Sequence, residues 1–220
     1  MMSTAQPWGR VAAKAVAGIT LLGALSACVP VVVGGAAVGT MVAVDRRTSG
    51  MQLEDESIEL RTTNRLYGLL GERAHVNVTS WNRQVLLTGE VPTLEDRNRL
   101  EQTVQAIENV HSVVNDVVVG PPSSLGQRSS DTLLTGKVRA SLVDAKDVMS
   151  NAVKVVSERS VVYLMGRVTD REARRITQVA REVTGVVKVV RVFEVISEEE
   201  LQRSFSRPQT THTLGEPSSQ

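Results

Sequence analysis

Val76-Asn77-Val78-Thr79-Ser80-Trp81-Asn82-Arg83-Gln84-Val85-Leu86-Leu87-Thr88-Gly89 aligns without a gap with Val153-Lys154-Val155-Val156-Ser157-Glu158-Arg159-Ser160-Val161-Val162-Tyr163-Leu164-Met165-Gly166, 77 residues further along the chain. The correspondence extends both ways. Downstream, Leu100, Ile107, Asn109, Val110, Val113 and Val114 match Ile176, Val183, Gly185, Val186, Val189 and Val190 at an offset of 76, one residue having been inserted near Pro92-Thr93. Upstream, Asp55, Ile58, Arg61 and Leu66 match Asp131, Leu134, Lys137 and Leu142. A chain that repeats itself over this span carries two copies of one fold.

Each copy reads helix–strand–strand–helix–strand. Leu134, Val138 and Leu142 recur every fourth residue, behind an expected cap at Ser130 or Asp131. Val76, Val78 and Ser80 alternate, Asn82-Arg83 turns, and Val85 and Leu87 alternate back, which is a hairpin. Gly89 and Gly166 are expected to close the second strand, where the backbone is approached closely. Leu100, Val104 and Ile107 stripe the next helix, as do Ile176, Ala180 and Val183, with Asn109 and Gly185 as stop residues. Valine-rich strands over 113–119 and 186–196 end the copies. The last two strands flank a helix, so they pair in parallel or lie apart across a right-handed crossover. The expected fold class is α+β, each copy a three-stranded mixed sheet covered by two helices. A unit of roughly 65 residues is marginal alone. The short Pro/Gly/Ser connection therefore predicts that the two touch.

The first 27 residues read as a lipoprotein signal peptide. Arg10 and Lys14 form a positive start, and an apolar stretch over 15–25 is too short to span a bilayer. Leu25-Ser26-Ala27-Cys28 resembles a lipobox, and Cys28, the single cysteine, is the expected lipidation site. The alternative is an ordinary signal followed by an incidental cysteine. One acyl chain binds marginally; the two or three of a bacterial lipoprotein hold firmly. Val29 rather than Asp follows the cysteine, which by known sorting rules implies the outer membrane, with the domains facing the periplasm. Residues 28–54 read as the lipidated cysteine, an apolar Gly/Ala/Val tether over 29–44 and a polar linker. The tether falls short of the roughly 20 residues of a spanning helix; an uncleaved hydrophobic anchor is its other reading.

The pattern Gly-x-Val, acidic helix, Gly-Val-x-x-Val, found twice with Asn109 in place of the second glycine in the first copy, resembles the BON domain. Together with the lipobox, the tether and Leu164-Met165-Gly166-Arg167-Val168-Thr169-Asp170-Arg171-Glu172-Ala173, it resembles the dual-BON outer-membrane lipoproteins over about residues 20–197. The expected organisation is two tandem BON domains at 55–120 and 130–197, a linker at 121–129 and a disordered polar tail at 198–220. The resemblance implies no enzymatic activity. It implies binding of anionic, phosphatidylglycerol-like membrane through the second BON domain, and support of outer-membrane integrity near the division site.

Charge bears on the same point. Residues 55–120 hold six Lys/Arg against ten Asp/Glu, and residues 129–196 hold twelve against eight. A basic surface attracts anionic headgroups, each cation contributing about 1 kcal/mol; the alternative is an ordinary solvated face. Leu133 lies one step off the inward stripe of its helix, one turn before Lys137 and near Arg139. An apolar wedge beside cations suits an interfacial site, so Leu133, Lys137 and Arg139 are the candidate lipid-binding residues. Packing of Leu133 on the neighbouring domain is the competing reading. Arg171, Arg174, Arg175 and Arg181 form a second basic run that reads as solvated.

No catalytic residue, metal site or cofactor is expected. His75, His111 and His212 have no metal-ligand spacing along the chain, and no phosphate loop or nucleophile elbow occurs. A net charge of +1 and 3% aromatic residues leave no basic surface or stacking platform for nucleic acid. Trp81 reads as a packing residue. A second functional class stays open: a periplasmic scaffold whose partners are envelope proteins.

Overall fold

The computed structural model describes residues 45–206. The signal segment, Cys28, the apolar tether and the chain beyond residue 206 lie outside the described residues. The first repeat comprises helix α1 (Ser49–Leu70), strands β1 (His75–Trp81) and β2 (Gln84–Val91), helix α2 (Leu94–Gln105), and short strands β3 (Ser112–Asn115) and β4 (Val118–Val119). The second comprises α3 (Leu125–Asp144), β5 (Val153–Glu158), β6 (Val161–Thr169), α4 (Asp170–Arg181) and β7 (Lys188–Ile196), followed by α5 (Glu198–Ser206). In both sheets the second strand is central: β2 pairs antiparallel with β1 and parallel with β3 and β4, and β6 pairs antiparallel with β5 and parallel with β7. The expected α+β architecture and its duplication are both present.

A buried aspartate fixes each hairpin to its first helix. The two-residue turns Asn82-Arg83 and Arg159-Ser160 hold positive φ at all four positions, as a primed turn demands and side chains other than glycine disfavour. Asp55 accepts hydrogen bonds from the Asn82 and Arg83 amides, each at 2.8 Å, and from Ser80 Oγ at 2.7 Å. Asp131 accepts from the Arg159 and Ser160 amides, each at 2.9 Å. Asp131 is therefore not a helix cap: α3 begins at Leu125 behind a Ser124 cap, so the connection between repeats is shorter than 121–129. Likewise α1 starts at Ser49, inside the stretch read as linker.

Gly89 and Gly166 sit inside their strands rather than at their ends. A Cβ at Gly89 would fall 2.0 Å from the His75 carbonyl oxygen, and one at Gly166 2.4 Å from that of Ala152. The close approach expected of both is real.

Alternation along the central strands builds two kinds of core. Val85 and Leu87 of β2 face α1 and α2, with Ile58, Leu66, Leu100 and Val104. Val162 and Leu164 of β6 face α3 and α4, with Leu134, Val138, Leu142 and Ile176. The intervening Leu86, Tyr163 and Met165 point the other way and meet Trp81 and Val192 in a third cluster. The two sheets thus pack against each other through their helix-free faces, giving layers helix–sheet–sheet–helix. Tyr163 Oη donates to Asp116 at 2.8 Å across this seam. Burial, then the Asp116 carboxylate, push the Tyr163 hydroxyl well above its ordinary range. Asp116 interrupts the last strand of the first repeat, which the sequence led us to expect as continuous. Polar bonds rim the seam: Lys154 Nζ to Glu59 at 2.8 Å and Asn82 Nδ2 to Glu194 at 2.6 Å.

Two further expectations need correction. The polar stretch after the tether is not solvated linker. Arg46, with a side chain 4% exposed, donates to Glu172 at 2.6 Å and to the Arg167 carbonyl at 2.8 Å, both in the second repeat. Arg47 donates to Asp55 at 2.7 Å and stacks 3.7 Å over the Trp81 ring, both in the first. Residues 198–206 are helical rather than disordered, with Glu200 paired to Arg167 of β6 and three acidic residues in the first turn, where the helix dipole favours them.

Burial pushes the Asp55 carboxyl up, but the Arg83 amide, Ser80, Arg47 and the Asn82 amide outweigh it and hold it below the ordinary carboxylate value. Its contribution to stability is therefore complete above the unfolded-chain value near pH 4 and is lost as pH falls through the folded one. Asp55→Ala should destabilise the chain by about 2–4 kcal/mol in urea melts at pH 7, by orphaning buried donors, and the deficit should shrink on acidification to pH 3. An equal deficit at both pH values would show that the ionised carboxylate is not what holds the turn.

Candidate membrane-binding face

Helix α3 runs roughly 30 Å and buries Asp131, Leu134, Val138 and Leu142 along one side. The side away from that stripe is exposed and, apart from Asp144 at the last position of the helix, uncharged. Leu125, Leu133 and Val143 stand 79%, 68% and 65% exposed there, with Ser129, Thr132, Gly136 and Ala140 between them. At about 100° per residue, Leu125 and Val143 share one line along the helix and Leu133 lies beside it. Lys137 flanks this strip on one edge and Arg139 on the other, and both are exposed. Leu133 does not pack on the first repeat.

The flanking cations differ from most of the basic residues on α4. Arg171 pairs with Glu198, Arg174 with Asp170 and Arg175 with Asp147 on or near α4. Arg175 is raised further by its Asp147 partner. The basic run on α4 is therefore largely ion-paired, not merely solvated. Lys137 makes no ion pair among the described residues, and the one contact of Arg139 is a long 3.5 Å hydrogen bond to the Val155 carbonyl. Exposed cations without carboxylate partners beside an apolar strip are free to meet anionic groups.

The entry of the chain lies on the same side. Asp45 lines a cavity together with Arg139, Val143 and Lys154. Immediately after it, Arg46 meets Glu172, whose carboxylate also accepts from the Thr169 amide and completes the capping box of α4. Burial raises Glu172, but Arg46 and Thr169 outweigh it and hold it low.

Leu133, Lys137 and Arg139 thus lie on the exposed side of one helix, the two cations on opposite edges, whereas Cys28 lies outside the described residues. Leu125 and Val143 were missed. Leu125 was assigned to the connection, yet its eighteen-residue spacing to Val143 would have placed both on one helical line had the Ser124 cap been seen. Arg46 carried no local signal, because its partners Glu172 and Arg167 are distant in sequence.

A family model for the BON domain matches residues 59–121 and again 130–197. The chain belongs to the BON-domain family and carries two copies of it. The outer membrane lipoprotein DolP of Haemophilus influenzae is 36% identical over 181 residues, covering 80% of this chain and 94% of that protein. A 21 kDa hemolysin of Actinobacillus pleuropneumoniae is 32% identical over 155 residues, covering 70% of this chain and 80% of that one. The exposed face of α3 belongs to the second BON domain. No helix among the described residues is long and apolar enough to cross a membrane.

Breaking one partner of a buried ion pair strands the other. Glu172→Ala should destabilise the second BON domain by about 3 kcal/mol or more, and Arg46→Ala by a similar amount. The double variant should cost clearly less than the sum of the two in a thermodynamic cycle. Full additivity would mean that the pair is not coupled.

Proposed function

We propose that this chain is a non-enzymatic outer-membrane lipoprotein, anchored through Cys28, whose second BON domain binds anionic phospholipid through α3 and so supports outer-membrane integrity, including at the division site. The observation that carries the lipid reading is the exposed strip of α3, uncharged but for Asp144 at its C-terminal end, between two cations without ion-pair partners among the described residues. Leu125, Leu133 and Val143 would enter the headgroup–acyl boundary while Lys137 and Arg139 meet phosphate oxygens. Two further points support it: the chain enters the fold beside this strip, and a relative named as an outer membrane lipoprotein aligns over most of its length. Sixteen residues lie between Cys28 and Asp45, a reach of at most about 60 Å when fully extended, so an anchored chain would keep α3 near the bilayer.

A form beginning at Asp45, which keeps Arg46 in place, should float with phosphatidylglycerol vesicles but not with phosphatidylcholine vesicles, and release as salt rises. Lys137→Ala and Arg139→Ala should each weaken binding roughly fivefold, at about 1 kcal/mol per cation, and Leu133→Glu should weaken it more. Failure of the unsubstituted form to bind at low salt would overturn the lipid reading. For the anchor, Cys28→Ala should leave unprocessed precursor without acyl mass, and a normal mature mass in that variant would refute it.

One observation favours a scaffold role as well. Leu53, Leu60 and Tyr67 form a seven-residue-spaced line along α1, each about two-thirds exposed. That is an apolar line on the acidic first BON domain, on a helix other than the proposed lipid face, and it suits a protein partner of the envelope.

A further inference from the structure

We propose that His75, Glu90 and Glu158 form a binding site for a divalent transition-metal ion such as Zn2+, bridging the two BON domains. Their ligand atoms lie within 4.8 Å of one another. His75 and Glu90 face each other across β1 and β2 of the first domain, and Glu158 ends β5 of the second. Glu90 is fully buried and Glu158 is 5% exposed.

The hydrogen bonds leave ligand positions open. Glu90 accepts from the Ser123 amide at 3.0 Å and from Arg159 Nη1 at 3.2 Å, and its Oε2 lies 3.2 Å from His75 Nδ1. Ser123 Oγ lies 3.4 Å from the same nitrogen. Glu158 Oε2 accepts from Asn77 Nδ2 at 2.6 Å, and its other oxygen has no hydrogen-bond partner among the described residues. His75 Nε2 has none either. Both residues line a cavity shared with Asn77, Asp131 and Ser157, and Ser157 Oγ is itself buried without a partner among the described residues.

Charge points the same way. Burial pushes the Glu158 carboxyl up, and the Glu90 and Asp131 carboxylates beside it push it further, against the Asn77 hydrogen bond and His75. Glu90 is held low despite its burial by Ser123, Arg159 and His75. Arg159, whose side chain is half exposed, pairs with Glu90, and no ion pair reaches Glu158 among the described residues. A divalent ion supplies the missing positive charge. One imidazole and two carboxylates, with water completing the shell, make a donor set that zinc accepts. Tetrahedral zinc with bonds near 2.0–2.1 Å places neighbouring donors about 3.3 Å apart, so closure asks for side-chain movement of about an ångström. Ligands from both sides of the seam would make the ion a staple between the domains.

The full, untagged chain, purified in detergent and stripped with chelator, should bind one equivalent of Zn2+ with a Kd on the order of 10 μM or tighter in excess Mg2+. Its melting temperature should rise with zinc and fall back on adding chelator. Glu158→Gln, which keeps the shape and the Asn77 contact, and His75→Gln should each weaken zinc at least tenfold, as loss of a ligand must if loss of an outer-shell partner already weakens metals about 10–100-fold. His111→Gln and His212→Gln should bind as the parent does. Absence of saturable binding by the unsubstituted chain at 100 μM zinc would overturn the site, as would zinc binding that neither Glu158→Gln nor His75→Gln weakens.

Discussion

A strand that is apolar on both faces has to be covered twice. In each repeat the helices cover only one face of β2 or β6, and Leu86, Tyr163 and Met165 would stand in water if the repeats parted. Burying these with Trp81 and Val192 removes five large side chains from solvent, a stabilisation on the order of 10 kcal/mol before ordering costs, at roughly 2 kcal/mol each. That exceeds what either marginal repeat keeps in reserve. The seam therefore sets the rest of the molecule. It places the helices on the outside, leaves Leu125, Leu133 and Val143 of α3 exposed, and brings Glu158 up to His75 and Glu90.

The two domains share a scaffold and differ in what they put on it. The aspartate that holds the hairpin turn and the glycine that admits a neighbouring carbonyl recur in both copies. These are demands of the backbone, so duplication preserved them. Surface chemistry has separated: the first domain is acidic, with Leu53, Leu60 and Tyr67 along α1, and the second is basic, with an uncharged strip along α3. Net charge alone would have misled, because much of the second domain's basic excess on α4 is spent on ion pairs. What distinguishes Lys137 and Arg139 is that they combine the lack of such partners with a place beside an exposed apolar strip.

The hairpins, the second helices and the duplication were legible because they rest on local periodicity. Leu134, Val138 and Leu142 announced the inward face of α3 and so the exposure of Leu133. Its start was hidden by the proline and serine residues ahead of Leu125, which read as linker although Ser124 is the cap. Asp131 read as a cap because aspartate commonly is one, and its true partners, the Arg159 and Ser160 amides, lie far along the chain. Arg46 and the His75–Glu90–Glu158 cluster were illegible for the same reason: their meaning lies in contacts between domains. Residues 198–206 looked disordered by composition, yet their acidic first turn suits a helix N-terminus.

Adjacent residues Arg46 and Arg47 are gripped by opposite domains, one by Glu172 and the other by Asp55. Tension arriving from upstream is split between these two grips before it reaches either hydrophobic core. Prising the domains apart and tugging on the tether thus strain the same pair of guanidinium groups, which makes this short segment a mechanical yoke rather than a loose end.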